Sequence, residues 1–320
     1  MKFNQKISAR ELKDYCDLSL KNKIKLSKEI INDFYDNVPS DKIYISSSFG
    51  KDSIVLIDLV RKEHSEIPIV FIDTGVEHPS CVELSKEYDN VTVLKPKKSM
   101  ERIIEEYGYP LPCGKDKTSA IKQVRKNIHD GELDTYRMRQ IRGELEGHMY
   151  DYSKLQKVVF APFKISDDCR YWLKSRPIAS YERKTGNKWH YIGITAEEST
   201  HRKNSLRKLG FNTENQSRPL GHWGEHDVLQ YILDNDLKLA KCYGEIYSNA
   251  LGHLKTTLHQ RTGCICCPIS SHLEKPNKFQ LLHEYDYDSW EYVIYDLGMK
   301  EVLDYFNIPY TGGIIKPKEK

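Results

Sequence analysis

A chain of 320 residues with 39% hydrophobic and 30% charged positions can bury one large core and a smaller appendage, which excludes a disordered or membrane-embedded chain. Its 49 basic and 46 acidic residues leave a formal net charge of +3, too balanced to argue by itself for a nucleic-acid partner. No apolar run reaches the length of a membrane span, and Met1 to Lys6 have no signal core behind them, so no membrane partner and a cytoplasmic location are expected.

In chain order, residues 8–37 carry apolar positions at helical spacing (Leu12, Tyr15, Leu18, Ile24, Ile30, Ile31, Phe34) and are expected to form one helical region ended by Pro39 and Asp41. A β-prone run, Ile43 to Ile45, then enters a turn of small residues and leaves as a helix carrying Ile54, Val55, Leu56 and Leu59. Between them lies Ser48-Phe49-Gly50-Lys51-Asp52-Ser53. A strand, a tight loop and a helix start make an anion site, because loop N–H groups converge and the helix N-terminus adds partial positive charge. Gly50 admits a phosphate to the backbone, Lys51 adds a point charge, and Ser48 and Ser53 can donate to phosphate oxygens or cap the helix. The loop is not the ATPase phosphate loop, which needs G-x-x-x-x-G-K-[ST].

Helix 52–64 leads to strands at 67–73 and 91–94, and this alternation predicts an α/β fold with a doubly wound parallel sheet. Asp73-Thr74-Gly75 closes the second strand at the end where such sheets bind ligands; a carboxylate there can accept from a nucleoside donor or help hold Mg²⁺. Residues 100–157 are polar, charged and mostly helical, equally suited to a lid over a cleft or to a homodimer arm. Ser166 or Asp167 then starts a helix with Cys169 in its first turn, where the dipole is expected to lower the thiol pKa. A strand at 189–195 brings Gly193 to a strand end, and Arg202 follows on a helix. Asp227 is expected to cap the helix carrying Val228 and Tyr231. Lys316 to Lys320 read as a solvated tail. The basic runs 95–98, 137–142 and 202–208 read as solvated faces, Arg202 excepted.

The loop resembles the S-G-G-K-D-S loop of the N-type ATP pyrophosphatases and of their relatives, the phosphoadenosine phosphosulfate (PAPS) reductases, with Phe49 in place of the first glycine. The stretch Val70 to Pro79 resembles that family's second motif, and Gly193 to Arg202 resembles its G-x-x-x-E-S-x-x-R segment. The likeness runs from about Ile43 to about Tyr310. It is closest to PAPS-reductase-like proteins of phages and mobile elements, similar in turn to the sulfurtransferases of DNA phosphorothioate modification. The resemblance implies an adenine nucleotide alpha-hydrolase-like (Rossmann-like) fold. It implies an N-terminal helical segment (1–40), a nucleotide-binding domain (41–240) with a helical insertion at about 100–157, and a cysteine-containing region (241–320). Ser48 to Ser53, Asp73, Thr74, Gly75, Gly193 and Arg202 would bind ATP or PAPS. Lys51, Asp52, Asp73 and Arg202 would act in catalysis with Mg²⁺.

Eight cysteines in a chain without a signal segment argue against a disulfide framework. Three crowd into Gly263-Cys264-Ile265-Cys266-Cys267, where Cys264 and Cys267 can chelate one metal. The resemblance adds Cys169, with His259, Cys242 or Cys266 as fourth ligand, for a [4Fe–4S] cluster or, alternatively, zinc. His259 and Arg170 stand where many relatives carry cysteines. The function expected is adenylation of a substrate for sulfur transfer in nucleic-acid modification, with a nucleic-acid acceptor and a sulfur-donor protein as partners. Sulfonucleotide reduction is the alternative. Reductases place their catalytic thiol in a C-terminal Glu-Cys-Gly-Leu-His-like tail, and no cysteine follows Cys267 here. A catalytically degenerate nucleotide- or nucleic-acid-binding subunit is the third reading, motivated by Phe49.

Overall fold

Ile43, Tyr44 and Ile45 are shut off from solvent and open β1 (Ile43–Ser47), the central strand of a five-stranded sheet in the computed structural model, which describes residues 3–145, 147 and 152–312. The expected solvated tail, Lys316 to Lys320, lies outside the described residues. A strand buried on both faces needs apolar residues at successive positions, and β2 (Ile69–Ile72) repeats the pattern. With β3 (Val91–Leu94), β4 (Trp189–Ile192) and β5 (Gln216–Ser217), the order is β3-β2-β1-β4-β5 and every pairing is parallel. The expected parallel α/β sheet is therefore present. Strand order reverses between β1 and β4, where the crevice beyond the strand ends is the usual ligand position of such sheets.

Two compact units share the chain, and both are discontinuous in sequence. The first comprises residues 1–73, 77–95 and 176–263; the second comprises 74–76, 96–175 and 264–320.

The first unit holds the sheet. Its expected single helical region is two helices, α1 (Ala9–Cys16) and α2 (Leu20–Asn37). Ser8 and Glu11 form a reciprocal capping box on α1, and Asp17 closes that helix with its N–H on Lys13 O. The apolar period runs through the break because Leu18 still packs on the cluster built by Leu12, Leu26 and Ile30. Helix α3 (Lys51–Glu63) buries Ile54 to Ile57, Leu59 and Val60, nearly its whole circumference. It lies between the sheet, α2 and the helix Glu225–Asp234. Asp227 caps that last helix as expected, accepting from Gly224 N at 2.7 Å, and also pairs with Lys23 at 2.6 Å.

The second unit is helical and centres on Ile103, Ile121, Val124, Phe279, Val293, Val302 and Leu303. Its helices include Met100–Tyr107, Lys115–Asp130, Tyr136–Arg142, Lys278–Tyr285 and Met299–Tyr305. Gly108, at φ +107°, lets residues 107–109 run against Lys164, whose carbonyl carbon occupies the place where a Cβ would stand. Among the described residues no helix is long and apolar enough to cross a membrane.

Candidate functional site

The loop after β1 turns inward at Phe49. Its φ of +53° is a left-handed conformation that glycine adopts without strain. The ring is fully buried and packs on Phe71 and Tyr88, each at 5.3 Å between centroids. Phe49 therefore keeps the backbone course that a glycine would take and sends its side chain into the core, not over the loop. Phe49→Gly is expected to relieve about 1 kcal/mol of backbone strain but lose roughly 3–5 kcal/mol of packing. A net destabilisation of about 2–4 kcal/mol in urea titration is the expected result.

Three loop amides are engaged within the unit. Ser48 N donates to Ser53 Oγ at 3.3 Å, Phe49 N to Ser47 Oγ at 3.0 Å and Lys51 N to Tyr243 OH at 3.0 Å. Among the described residues, the N–H groups of Gly50 and Ser53 remain for a ligand at the start of α3. Gly50 has no room for a side chain, since a Cβ would meet Thr262 Oγ1 at 2.7 Å and Tyr243 OH at 2.9 Å. Tyr243 and Thr262 are themselves hydrogen-bonded at 3.0 Å, so the loop rests on a hydroxyl pair. Gly193, just past the end of β4, approaches Asp52 O to 3.0 Å at its would-be Cβ, so this strand end meets the first turn of α3 backbone to backbone.

Lys51 does not project into solvent. Its side chain is buried; the ammonium donates to Gln260 O and lies 3.2 Å from Glu225 Oε1. Glu225 also pairs with Lys255. Burial pushes the Glu225 carboxyl up, but Lys255 and Lys51 outweigh it and the net shift is downward. A phosphate would have to draw Lys51 out of this pair. Asp52 behaves oppositely: burial first, with Glu198 adding, raises its carboxyl to about 6 against the pull of Lys51. Arg202 is capped into its helix by Ser199 Oγ at 3.2 Å, and its guanidinium is held by Glu198. Glu198 Oε2 also accepts from Thr195 N at 3.0 Å, and Arg261 donates to Glu198 O at 2.6 Å.

Asp73 ends the β2 run, with its N–H on Leu94 O at 2.9 Å and Lys95 4.0 Å from its carboxylate. Thr74 and Gly75 belong to the second unit; Thr74 Oγ1 accepts from Val76 N at 3.3 Å and Gly75 takes φ +77° with open space about it. Ser48 to Ser53, Asp73, Gly193 and Arg202 share the first unit. Sequence reading missed Tyr243, Thr262, Gln260, Glu225 and Glu198. Of these, Glu198 lies within the Gly193 to Arg202 segment.

The expected metal ligands divide differently. Cys169, Cys264 and Cys267 belong to the second unit, whereas His259 belongs to the first, buried with its ring 4.5 Å from that of His78. Cys267 N donates to Cys264 O at 3.0 Å, a tight turn. Burial and then Cys267 raise the Cys169 thiol to about 11. The expected lowering by the helix start is thus overturned, because desolvation outweighs the dipole. Cys266 is buried and raised well above the usual range, by burial and then by Cys264, Cys267 and Cys169. Four thiols sense one another, yet among the described residues no three His, Cys, Asp or Glu side chains are arranged to hold a metal ion. As they stand the residues do not fit a closed cluster or zinc site.

The family model described as "Phosphoadenosine phosphosulfate reductase domain" matches residues 42–269. An uncharacterized protein of Methanocaldococcus jannaschii, MJ0973, is 27% identical over 284 residues, covering 87% of this chain; the chain spans only 54% of that relative's length. The adenosine 5'-phosphosulfate reductase of Oceanobacillus iheyensis is 23% identical over 249 residues, 75% of this chain and 77% of the relative. Among solved structures, the PAPS reductase of Candida auris in a phosphate complex aligns with a TM-score of 0.40 at 14% identity, over 74% of this chain and 92% of the other.

Proposed function

The chain belongs to the phosphoadenosine phosphosulfate reductase domain family, and from that premise we propose that its first unit binds an adenine nucleotide by its phosphates and adenylates a substrate. The observation that carries this reading is the Gly50–Ser53 turn. It presents donor groups at the start of α3, at the sheet's switch point, with Asp52, Lys51 and Arg202 around it. With ATP, a substrate oxygen attacks the α-phosphorus; the new P–O bond forms as the bond to pyrophosphate breaks, and the electron pair leaves with pyrophosphate. Such chemistry needs positioning and charge neutralisation more than a protein nucleophile. Lys51 and Arg202 neutralise phosphate oxygens once drawn from Glu225 and Glu198. Asp52 would hold Mg²⁺, with Asp73 at the neighbouring strand end as second carboxylate, and the ion would supply further neutralisation.

The finer reading is sulfur transfer. The adenylated oxygen becomes a good leaving group for a sulfur nucleophile delivered by a donor protein, and a nucleic acid is the acceptor. Because no three donors among the described residues are arranged around one point, Cys264→Ala is expected to leave the iron and zinc content of anaerobically purified protein unchanged. Loss of stoichiometric metal in that variant would place a [4Fe–4S] cluster or zinc on Cys169, Cys264 and Cys267.

Sulfonucleotide reduction is the second reading, favoured by relatives named adenosine 5'-phosphosulfate reductase. Burial of Cys266 and its raised thiol argue against that residue as the attacking nucleophile. Incubation with Mg²⁺ and ATP or PAPS, candidate acceptors and a reductant decides between them. Pyrophosphate from ATP supports adenylation, and sulfite from PAPS supports reduction. Nucleotide that neither binds nor reacts removes both readings.

A further inference from the structure

Cys81 and Cys242 do not belong to the cysteine-rich turn, and the proposed chemistry uses neither. Their sulfurs are 3.9 Å apart within the first unit. Cys81 is buried on α4 (Pro79–Ser85), and Cys242 is half-buried on the short turn Lys241–Tyr243. The two backbones are already tied, because Cys242 N donates to Ser80 Oγ at 3.0 Å. The next residue is Tyr243, whose hydroxyl accepts from Lys51 N and bonds Thr262, and against which Gly50 is packed without slack.

We propose that Cys81 and Cys242 form a reversible disulfide that switches the phosphate loop off, a regulation that rests on the nucleotide-binding reading above. A disulfide needs about 2.05 Å between sulfurs, so its formation draws the pair together by roughly 2 Å. Cys81 lies within a hydrogen-bonded helix, whereas Cys242 lies on a three-residue turn with fewer backbone bonds to hold it, so the turn gives way. Tyr243 moves with it and withdraws its hydroxyl from Lys51 N, the amide that anchors the start of α3.

The oxidant is a low-molecular-weight disulfide. The more accessible Cys242 thiolate attacks one of its sulfurs, forming a mixed disulfide and expelling one small thiol. The Cys81 thiolate then attacks the Cys242 sulfur, and the second small thiol leaves. The two protein thiols lose two electrons and two protons in all; the small disulfide gains both and becomes two thiols.

The test treats the whole chain with oxidised glutathione, maps disulfides by peptide mass, and follows hydrogen exchange of the 48–54 amides and ATP affinity. The expected result is a Cys81–Cys242 disulfide, faster exchange in the loop and at least a tenfold loss of affinity. All three should be reversed by dithiothreitol and absent in Cys81→Ser and in Cys242→Ala. No such disulfide, or a disulfide with unchanged loop exchange, overturns the switch. If the reduced protein fails to bind ATP while oxidation still alters loop exchange, the nucleotide reading fails and the coupling stands. Identical loss in Cys81→Ser assigns the effect to other cysteines and overturns the proposal.

Discussion

Lys51→Met is expected to lower affinity for ATP or PAPS by roughly tenfold to a hundredfold while the protein stays folded. One charge-assisted contact to phosphate contributes about 1.5–3 kcal/mol, which sets that range. The contrast between binding and stability is the informative part. Lys51 is buried against Glu225 and Gln260 O, so its removal takes a cation away from a carboxylate of low exposure. Breaking a buried pair usually costs about 3–5 kcal/mol because one charge is left uncompensated. Here Glu225 keeps Lys255, and methionine preserves most of the apolar stem, so about 1–2 kcal/mol is expected. Calorimetric titration with nucleotide and a urea melt on the same preparation check both halves. Unchanged affinity would remove Lys51 from the phosphate site and leave it a structural clamp.

The strand, loop and helix around Gly50 were legible because their signal is local: a β-prone triplet, small turn residues, then an apolar helix. The parallel sheet followed from alternation alone. What escaped is what arrives from far along the chain. Tyr243 reaches Lys51 across 192 positions and Gln260 across 209, and no periodicity or spacing announces such a meeting. Phe49 misled for another reason. Its residue type suggested a stiffened or altered loop, whereas the backbone conformation, invisible in the sequence, lets it serve as a core anchor. Cys169 sits at a helix start as expected, but its titration is governed by burial and a neighbouring cysteine, neither of which one-dimensional reading supplies. The break between α1 and α2 was hidden because Leu18 keeps the apolar period through it. The two units interleave along the chain, and no local pattern announces that stretches as far apart as 96–145 and 264–312 fall in the same unit.

Asp52→Asn should make the protein more stable at pH 8, with an advantage that disappears towards pH 4. The Asp52 carboxyl titrates near 3.8 when unfolded and is raised to about 6 in the fold, burial being the leading cause. Between those values the native state holds a proton that the unfolded chain has released. Stability contributed by this group therefore falls as pH rises through that window, and the full penalty stands above it. Raising that carboxyl from 3.8 to about 6 corresponds to roughly 3 kcal/mol, so a gain of about 2–3 kcal/mol is expected for asparagine at pH 8. Urea titrations at pH 4, 6 and 8 measure it; a difference independent of pH would mean that Asp52 is not desolvated as the structure has it. The same strain has a functional side. A charged, half-buried carboxylate beside a phosphate site repels nucleotide unless a divalent cation stands between them. Asp52→Asn is therefore expected to strengthen ATP binding without Mg²⁺ and to abolish the gain that Mg²⁺ brings. A wild-type Mg²⁺ dependence that survives the substitution would move the ion to Asp73.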